Sequence, residues 1–357
     1  MQTKYSSYLL LALALSSASA YAQHKKNVLF LGNSYTYVND LPQTIASIAA
    51  STGDTLAYDS HAPGGYYLGE HVSNATSLSK IATGNRDYVV LQDQSMALAY
   101  PSTYMNHLPY SKKLDSIIKA ENECAQVIFY STWGRKNGDM YVCNPPECDT
   151  YTVVSRTYYE MDSAIGTHYK TFADSIKAGV SPVGAVWRYI RRNHPATELH
   201  QADDSHPSVA GTYAAACSFY SAIFRKDPTL ITNNMGLPAI EAANIRAAAK
   251  AVVYDHLLIW NIGAFDTLLN IDCMPPATNI TPITVGQFMT VSPNPATDHL
   301  VVTAAGKDVF SVFDAVGKLV REIQIDGSTS IDVSNYPSGL YIIRSTHTGR
   351  VLKVQKL

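Results

Sequence analysis

Ser34 stands in "VLFLGNSYTY" (28–37), where a short apolar run stops at Gly-Asn-Ser and a helix-like stretch, "LPQTIASIAAS", soon follows. A serine at the carboxyl end of a strand and near a helix N-terminus meets backbone N–H groups and the positive end of the helix dipole. Both favour a developing negative charge. A helix cap would use the same residue, so the hydroxyl alone decides nothing. A serine nucleophile needs a base, and the base needs a group that orients it. "QADDSHPSVAGTYAAA" (201–216) holds both. His206 follows Asp203 by three residues and precedes Pro207, so the carboxylate can hold the Nδ1 proton and leave Nε2 to face a serine. A capping turn ahead of the next helix accounts equally for Asp203, Asp204 and Ser205, but only catalysis requires the histidine. His194 also precedes a proline, yet it has no acid three residues earlier and ranks below His206.

Two further segments carry donors suited to an oxyanion. In "HAPGGYYLGEH" (61–71), Gly64-Gly65 lets a backbone N–H come close to a substrate because no Cβ intervenes. "VVLQDQSM" (89–96) ends with Gln92, Asp93 and Gln94, and a side-chain amide is a neutral, fixed donor. The plain alternatives are a tight turn and a solvated loop. Tyr66, Tyr67 and Trp133 offer flat faces to a sugar, although Trp133 suits a core as well. Arg135 in "TWGRKNG" is placed to meet an anionic group, or to be a solvated loop charge.

These groups need a scaffold that gathers distant segments. The runs 27–32, 55–61, 87–92, 126–131 and 180–186 read as strands, mostly apolar throughout, as expected when both faces of a parallel sheet are covered. Helical spacing fills the stretches between them, including 150–178, 208–224 and 239–260. This alternation predicts an α/β domain: a three-layer α/β/α, flavodoxin-like unit with about five parallel strands. In such sheets ligands sit beyond the carboxyl ends of the strands, and Ser34, Gly65 and Gln94 all fall there. The character changes after about residue 270. A Pro- and Thr-rich linker at 271–287 leads to 288–357, where polar and apolar residues alternate between regularly spaced turns, the rhythm of a small all-β sandwich.

Taken in order, "GNSYT", "APGGYYL", "LQDQS" and "DDSHPSVAGTYAAA" resemble the four blocks of the SGNH (GDSL-like) hydrolases, over roughly residues 26–265. The resemblance implies that Ser34 is the nucleophile and that Asp203 and His206 complete the triad. Ser34, Gly65 (or Gly64) and Gln94 would supply the oxyanion donors. Asn33 stands where aspartate is commoner. In the third block Gln94 replaces the usual asparagine, as in a less characterised bacterial branch of the superfamily. The implied activity is ester hydrolysis through an acyl-enzyme, with a short acyl group on carbohydrate as the expected substrate. A lipase or thioesterase, or a non-catalytic carbohydrate-binding protein on the same fold, are the rivals. The C-terminal "VSPNPATDHLVV", the Asp-x-x-Gly-Lys hairpin at Asp314 to Lys318, and Ser338-Gly339-Leu340-Tyr341 resemble the type A sorting domain of the type IX secretion system. That resemblance implies the secretion machinery as a partner, and release or surface attachment outside the outer membrane.

The bulk numbers agree with an exported enzyme. A chain of 357 residues suggests two folded units, and a net charge of -2 without a basic cluster argues against nucleic acid. The 24 Tyr against 9 Phe favour surfaces that meet polar ligands, or half-buried packing. Residues 1–22 read as a signal peptide, with Lys4, "YLLLALAL" and Ala20-Tyr21-Ala22 before Gln23. The predicted order is therefore signal peptide 1–22, hydrolase domain 23–270, linker 271–287 and sorting domain 288–357, reached through the periplasm. No run is long enough to span a bilayer. The five cysteines suit an oxidising compartment. Cys143 and Cys148 bracket "NPPE" and are expected to close it with a disulfide, zinc being the weaker reading; the pairing of Cys124, Cys217 and Cys273 stays open. The chemistry calls for no metal or organic cofactor.

Overall fold

The computed structural model describes residues 23–143, 145, 152–265, 290–314, 318–345 and 351–357. The expected signal peptide 1–22, the linker 271–287, Cys148 with most of the loop between it and Cys143, and Cys273 lie outside them. By its internal contacts the chain divides after Met274 into two compact units.

In the first unit, β1 (Lys25–Leu31), β2 (Thr55–His61), β3 (Tyr88–Leu91), β4 (Gln126–Tyr130) and a later strand form one sheet. A separate antiparallel hairpin, β5 (Asp139–Cys143) and β6 (Thr152–Arg156), intervenes before that last strand, β7 (Gly179–Ser181). The order β2-β1-β3-β4-β7 is parallel throughout, the flavodoxin-like arrangement. Alternation along β1 explains the layers. Val28 and Phe30 point into one buried cluster, while Leu29 and Leu31 point into another on the opposite face. Each cluster is closed by helices. One layer contains α2 (Leu41–Ala50), which follows the single turn α1 (Ser34–Tyr37). The other contains α3 (Leu68–Ser73), α4 (Ala75–Ala82), α5 (Ser95–Ala99), α6 (Pro101–Glu121) and α7 (Tyr158–Ile176). The first layer is completed by α8 (Val183–Asn193), α9 (Val209–Phe224) and α10 (Ala239–Val252). Cys217 is a free thiol buried in α9, and burial pushes its pKa up to about 12.

Two local expectations change. The run 180–186 is not one strand: β7 stops at Ser181, and Pro182, which cannot continue a ladder, starts α8. Val183, Val186, Trp187 and Ile190 then fall on one buried helical face. The segment 150–178 is not all helix either. Its β-branched "TVVSR" pairs with β5, and Thr157 caps α7 by accepting from Glu160 N–H.

The second unit is all antiparallel. β8 (Thr290–Ser292), β9 (His299–Phe313), β10 (Leu319–Asp332), β11 (Gly339–Ser345) and β12 (Val351–Lys356) form one connected sheet in the order β10-β9-β11-β12, with β8 beside β9. It has its own core, around Phe310, Val312, Ile325, Tyr341 and Val354. Among the described residues no helix is long and apolar enough to cross a membrane.

Candidate active site

The turn after β1 is shaped by what surrounds it. A Cβ on Gly32 would stand 2.4 Å from Thr36 Oγ1 and 2.6 Å from Gln92 Oε1, so only glycine fits. Gln92, fully buried, accepts from the Asn33 N–H (2.8 Å) and from the Thr36 hydroxyl (3.0 Å), and its own amide donates to Asp93 O (2.7 Å). Asn33 caps α1 by accepting from Tyr35 N–H (3.1 Å) and donates through Nδ2 to Tyr66 O (2.9 Å). An aspartate here could make the first bond but not the second. The amide thus binds the Ser34 turn to the loop that carries Gly65.

Ser34 leads α1, and its Oγ lies 2.9 Å from His206 Nε2. His206 Nδ1 lies 2.5 Å from Asp203 Oδ2. A carboxylate only accepts, so Nδ1 carries the proton and Nε2 is the acceptor for the serine hydroxyl. Partial burial raises the Asp203 pKa, but the His206 ring and the N–H groups of Ser205 and His206 outweigh it and hold the carboxyl down at about 2. The Asp203–His206 turn is itself pinned. Asp204 sits in the left-handed region (φ 59°), and Lys136 N–H donates to its carbonyl at 2.8 Å. Tyr35 Oη meets Ser205 Oγ at 2.7 Å, Trp133 Nε1 donates to Ser205 O at 3.0 Å, and Asn39 Nδ2 donates to Pro207 O at 2.9 Å.

The hydroxyl opens into a cavity of about 150 Å³, lined by Ser34, Gly65, Gln94, Ser95, Arg135 and His206 among others. Gly65 has φ 76°, a conformation that favours glycine, and it borders the cavity where Gly64 does not. Gln94 caps α5: its Oε1 accepts from Met96 N–H (2.5 Å) and Ala97 N–H (3.3 Å). Two backbone donors fix which end of the amide is oxygen, and that leaves the NH₂ end as the donor available to a ligand. Arg135 Nη1 is held 2.6 Å from Asp139 Oδ2 of β5.

Asp93 does more than its place in a polar loop suggests. Fully buried, it accepts from Leu68 N–H (3.1 Å) and Gln94 N–H (2.8 Å) through Oδ1, and Oδ2 lies 2.9 Å from His107 Nδ1. It thereby ties the start of α3, just after the glycine loop, to the Gln94 loop. Sequence alone gave no partner for it, because His107 lies on a helix with no chemical pattern of its own.

The aromatic candidates separate. Trp133 is fully buried, stacked between Tyr35 (4.6 Å between centroids) and Trp187 (3.8 Å), so it presents no face to a ligand; its apolar area is used inside the fold. Tyr66 is partly buried, edge-on to His61 and His71. Tyr67 is exposed and packs over the His107 ring at 5.3 Å. His194 ends α8 and is not among the residues that line the cavity.

Residues 290–357 match the family model of the secretion system C-terminal sorting domain. Comparison with curated protein sequences gives no match. Among solved structures, a DUF4886 family protein from Bacteroides uniformis is similar at 19% identity, covering 66% of this chain and 95% of that one with a TM-score of 0.54. A protein from Slackia heliotrinireducens provisionally assigned to the SGNH hydrolases is 24% identical, covering 55% and 98% (TM-score 0.43). The lipase/acylhydrolase from Enterococcus faecalis is 14% identical, covering 56% and 95% (TM-score 0.38). The structural neighbours are thus SGNH and GDSL-like hydrolases and a DUF4886 family protein. The Bacteroides uniformis structure carries this comparison, and at that identity it speaks to the fold alone. The sorting tail indicates secretion or display at the cell surface and implies contact with the type IX machinery.

Proposed function

We propose that the first unit is a serine ester hydrolase working through an acyl-enzyme, and that it removes short acyl groups, acetyl above all, from carbohydrate. His206, oriented by Asp203, takes the proton of Ser34 as Oγ attacks the ester carbonyl. The tetrahedral oxyanion is held by the N–H groups of Ser34 and Gly65 and by Gln94 Nε2. The proton passes from His206 to the departing alcohol, and the C–O bond breaks. Water then gives a proton to the same imidazole, attacks the acyl carbonyl and releases the acid, restoring Ser34. The observation that supports this reading is the row Ser34–His206–Asp203, at 2.9 and 2.5 Å, opening onto a cavity bordered by two oxyanion donors.

The cavity also favours the short-acyl version. Its volume of only about 150 Å³ suits a short acyl group better than the chain of a lipase or long-chain thioesterase substrate. Arg135, already paired with Asp139, is a secondary contact for an anionic part of the substrate. The type IX apparatus is the export partner, and neither nucleic acid nor a metal enters the chemistry. The full chain is expected to hydrolyse p-nitrophenyl acetate and Ser34→Ala to lose that turnover. Equal rates in the two proteins would remove the hydrolase reading.

A further inference from the structure

The surface beside the cavity carries a row of aromatic rings that the hydrolytic chemistry does not use. Tyr37, the last residue of α1, is 55% exposed, and its hydroxyl lies 3.5 Å from where a Cβ on Gly64 would stand. Its tip therefore borders the same loop that presents Gly65 to the cavity. Tyr67, two residues after Gly65, is 37% exposed and lies over His107 at 5.3 Å; Tyr110, 41% exposed, lies 6.1 Å from His107. The rings are held rather than dangling. His107 is fixed through Nδ1 to the buried Asp93. A Cβ on Gly69 would stand 3.0 Å from the Tyr110 ring, so that ring lies directly on the glycine of α3.

We infer that Tyr37, Tyr67 and Tyr110, the last two backed by His107, form a platform for a carbohydrate chain that leads its ester into the Ser34 cavity, which makes the substrate an acylated oligo- or polysaccharide. This rests on the ester-hydrolase reading for the chemistry but not for the binding. A sugar ring has apolar C–H faces and a rim of hydroxyls. A tyrosine has an apolar face and a hydroxyl at its edge, so stacked rings match on both counts. Pre-fixed rings also lose little freedom on binding. A lipid surface would call for aliphatic side chains in the row, and none of its members is one. Tyr67 and Tyr110 both pack on the His107 ring, at 5.3 and 6.1 Å between centroids, so more than one exposed ring is offered and affinity should grow with chain length.

The test uses full-length Ser34→Ala, so that ligand is not consumed, and titrates it by calorimetry with xylo- and chito-oligosaccharides from the disaccharide to the hexasaccharide. Affinity is expected to rise with length, to fall about tenfold for each of Tyr37→Ala and Tyr110→Ala, and to survive Tyr37→Phe and Tyr110→Phe, which keep the ring. Thermal unfolding of each variant separates lost binding from lost fold. Absence of binding, affinity independent of length, or alanine variants that are folded and bind as the parent would each overturn the platform. Phenylalanine variants that bind no better than the alanine ones would overturn stacking. Turnover of p-nitrophenyl acetate by the unaltered protein is read separately, so failure of the platform and failure of the esterase reading are told apart.

Discussion

Gln94→Glu isolates the oxyanion donor from the structural work of the same side chain. The Gln94 oxygen accepts from Met96 and Ala97 N–H, and a carboxylate can accept both at least as well, because charge-assisted bonds to backbone donors are stronger. What disappears is the Nε2 donor, and a negative oxygen takes its place. Removing one oxyanion donor costs about 2.7–4 kcal/mol, or about 10²–10³ in kcat. A carboxylate about 4 Å from the oxyanion adds repulsion of about 4 kcal/mol at an effective dielectric near 20. The expected result is a fall in kcat of at least about a hundredfold, with KM changed far less and the unfolding midpoint within a few degrees of the parent. Gln94→Ala serves as the contrast, because it also removes the cap and should cost about 1 kcal/mol of stability. Steady-state kinetics on p-nitrophenyl acetate with parallel thermal unfolding reads all of this. If Gln94→Glu turned over within threefold of the parent while folded, the amide would not face the developing charge and the assignment of this donor would be wrong.

Asn33→Asp, the residue commoner in the resembling family, should destabilise this chain, because a carboxylate oxygen would face Tyr66 O in a site only 4% exposed. A cost of about 1–3 kcal/mol lowers the unfolding midpoint by several degrees in calorimetry, and an unchanged midpoint would refute the bond's importance. His200 makes the fold acid-sensitive: burial lowers its pKa from 6.5 to about 4, and its Nδ1 is buried without a hydrogen-bond partner among the described residues. A depressed folded-state pKa means that this contribution is complete above pH 6.5 and is lost as pH falls toward 4. At about 1.36 kcal/mol per pH unit, the gap of 2.5 is worth about 3 kcal/mol. His200 bridges to Pro207 beside the Asp203–His206 turn, so acid should loosen the base first. His200→Gln is expected to flatten the dependence of urea unfolding on pH between 6.5 and 4, and an unaltered slope would count against it.

The parts of the site that sequence exposes are those whose chemistry needs a residue type. A serine at a strand end and an Asp-x-x-His before a proline can be read without coordinates, and the structure brings them within hydrogen-bonding distance across 172 positions. What stays hidden is whatever depends on the neighbour. Gln92 and Asp93 look like a solvated loop in "LQDQS", but both are fully buried, because the Asn33 N–H, Leu68 N–H and His107 that occupy them come from other segments. Trp133 illustrates the same limit. A tryptophan at a strand end suits a sugar platform or a core equally well, and only the positions of Tyr35 and Trp187 decide. Along the fold, 55–61 is the strand its sequence predicts, whereas 180–186 deceives because "VSPVGAV" is mostly apolar in either state. The helical spacing that settles it extends beyond the run, to Trp187 and Ile190.

The position of Trp133 bears on how the base is held. A catalytic row works only if its members stay within a fraction of an ångström of their productive geometry, and the Asp203–His206 turn is a short surface segment, whereas the Ser34 turn is mostly buried. Tyr35, adjacent to Ser34, and Trp133 share a stacked face, and both reach the same residue, Ser205, next to His206, the proposed base. The stack continues into Trp187 of α8, which donates to Gly211 O of α9. Each aromatic pair contributes about 0.5–1.5 kcal/mol beyond its burial, so core packing clamps the two turns together in addition to their own local bonds. A tryptophan removed from substrate contact is therefore still tied to the reaction, through the distance between Ser34 and His206.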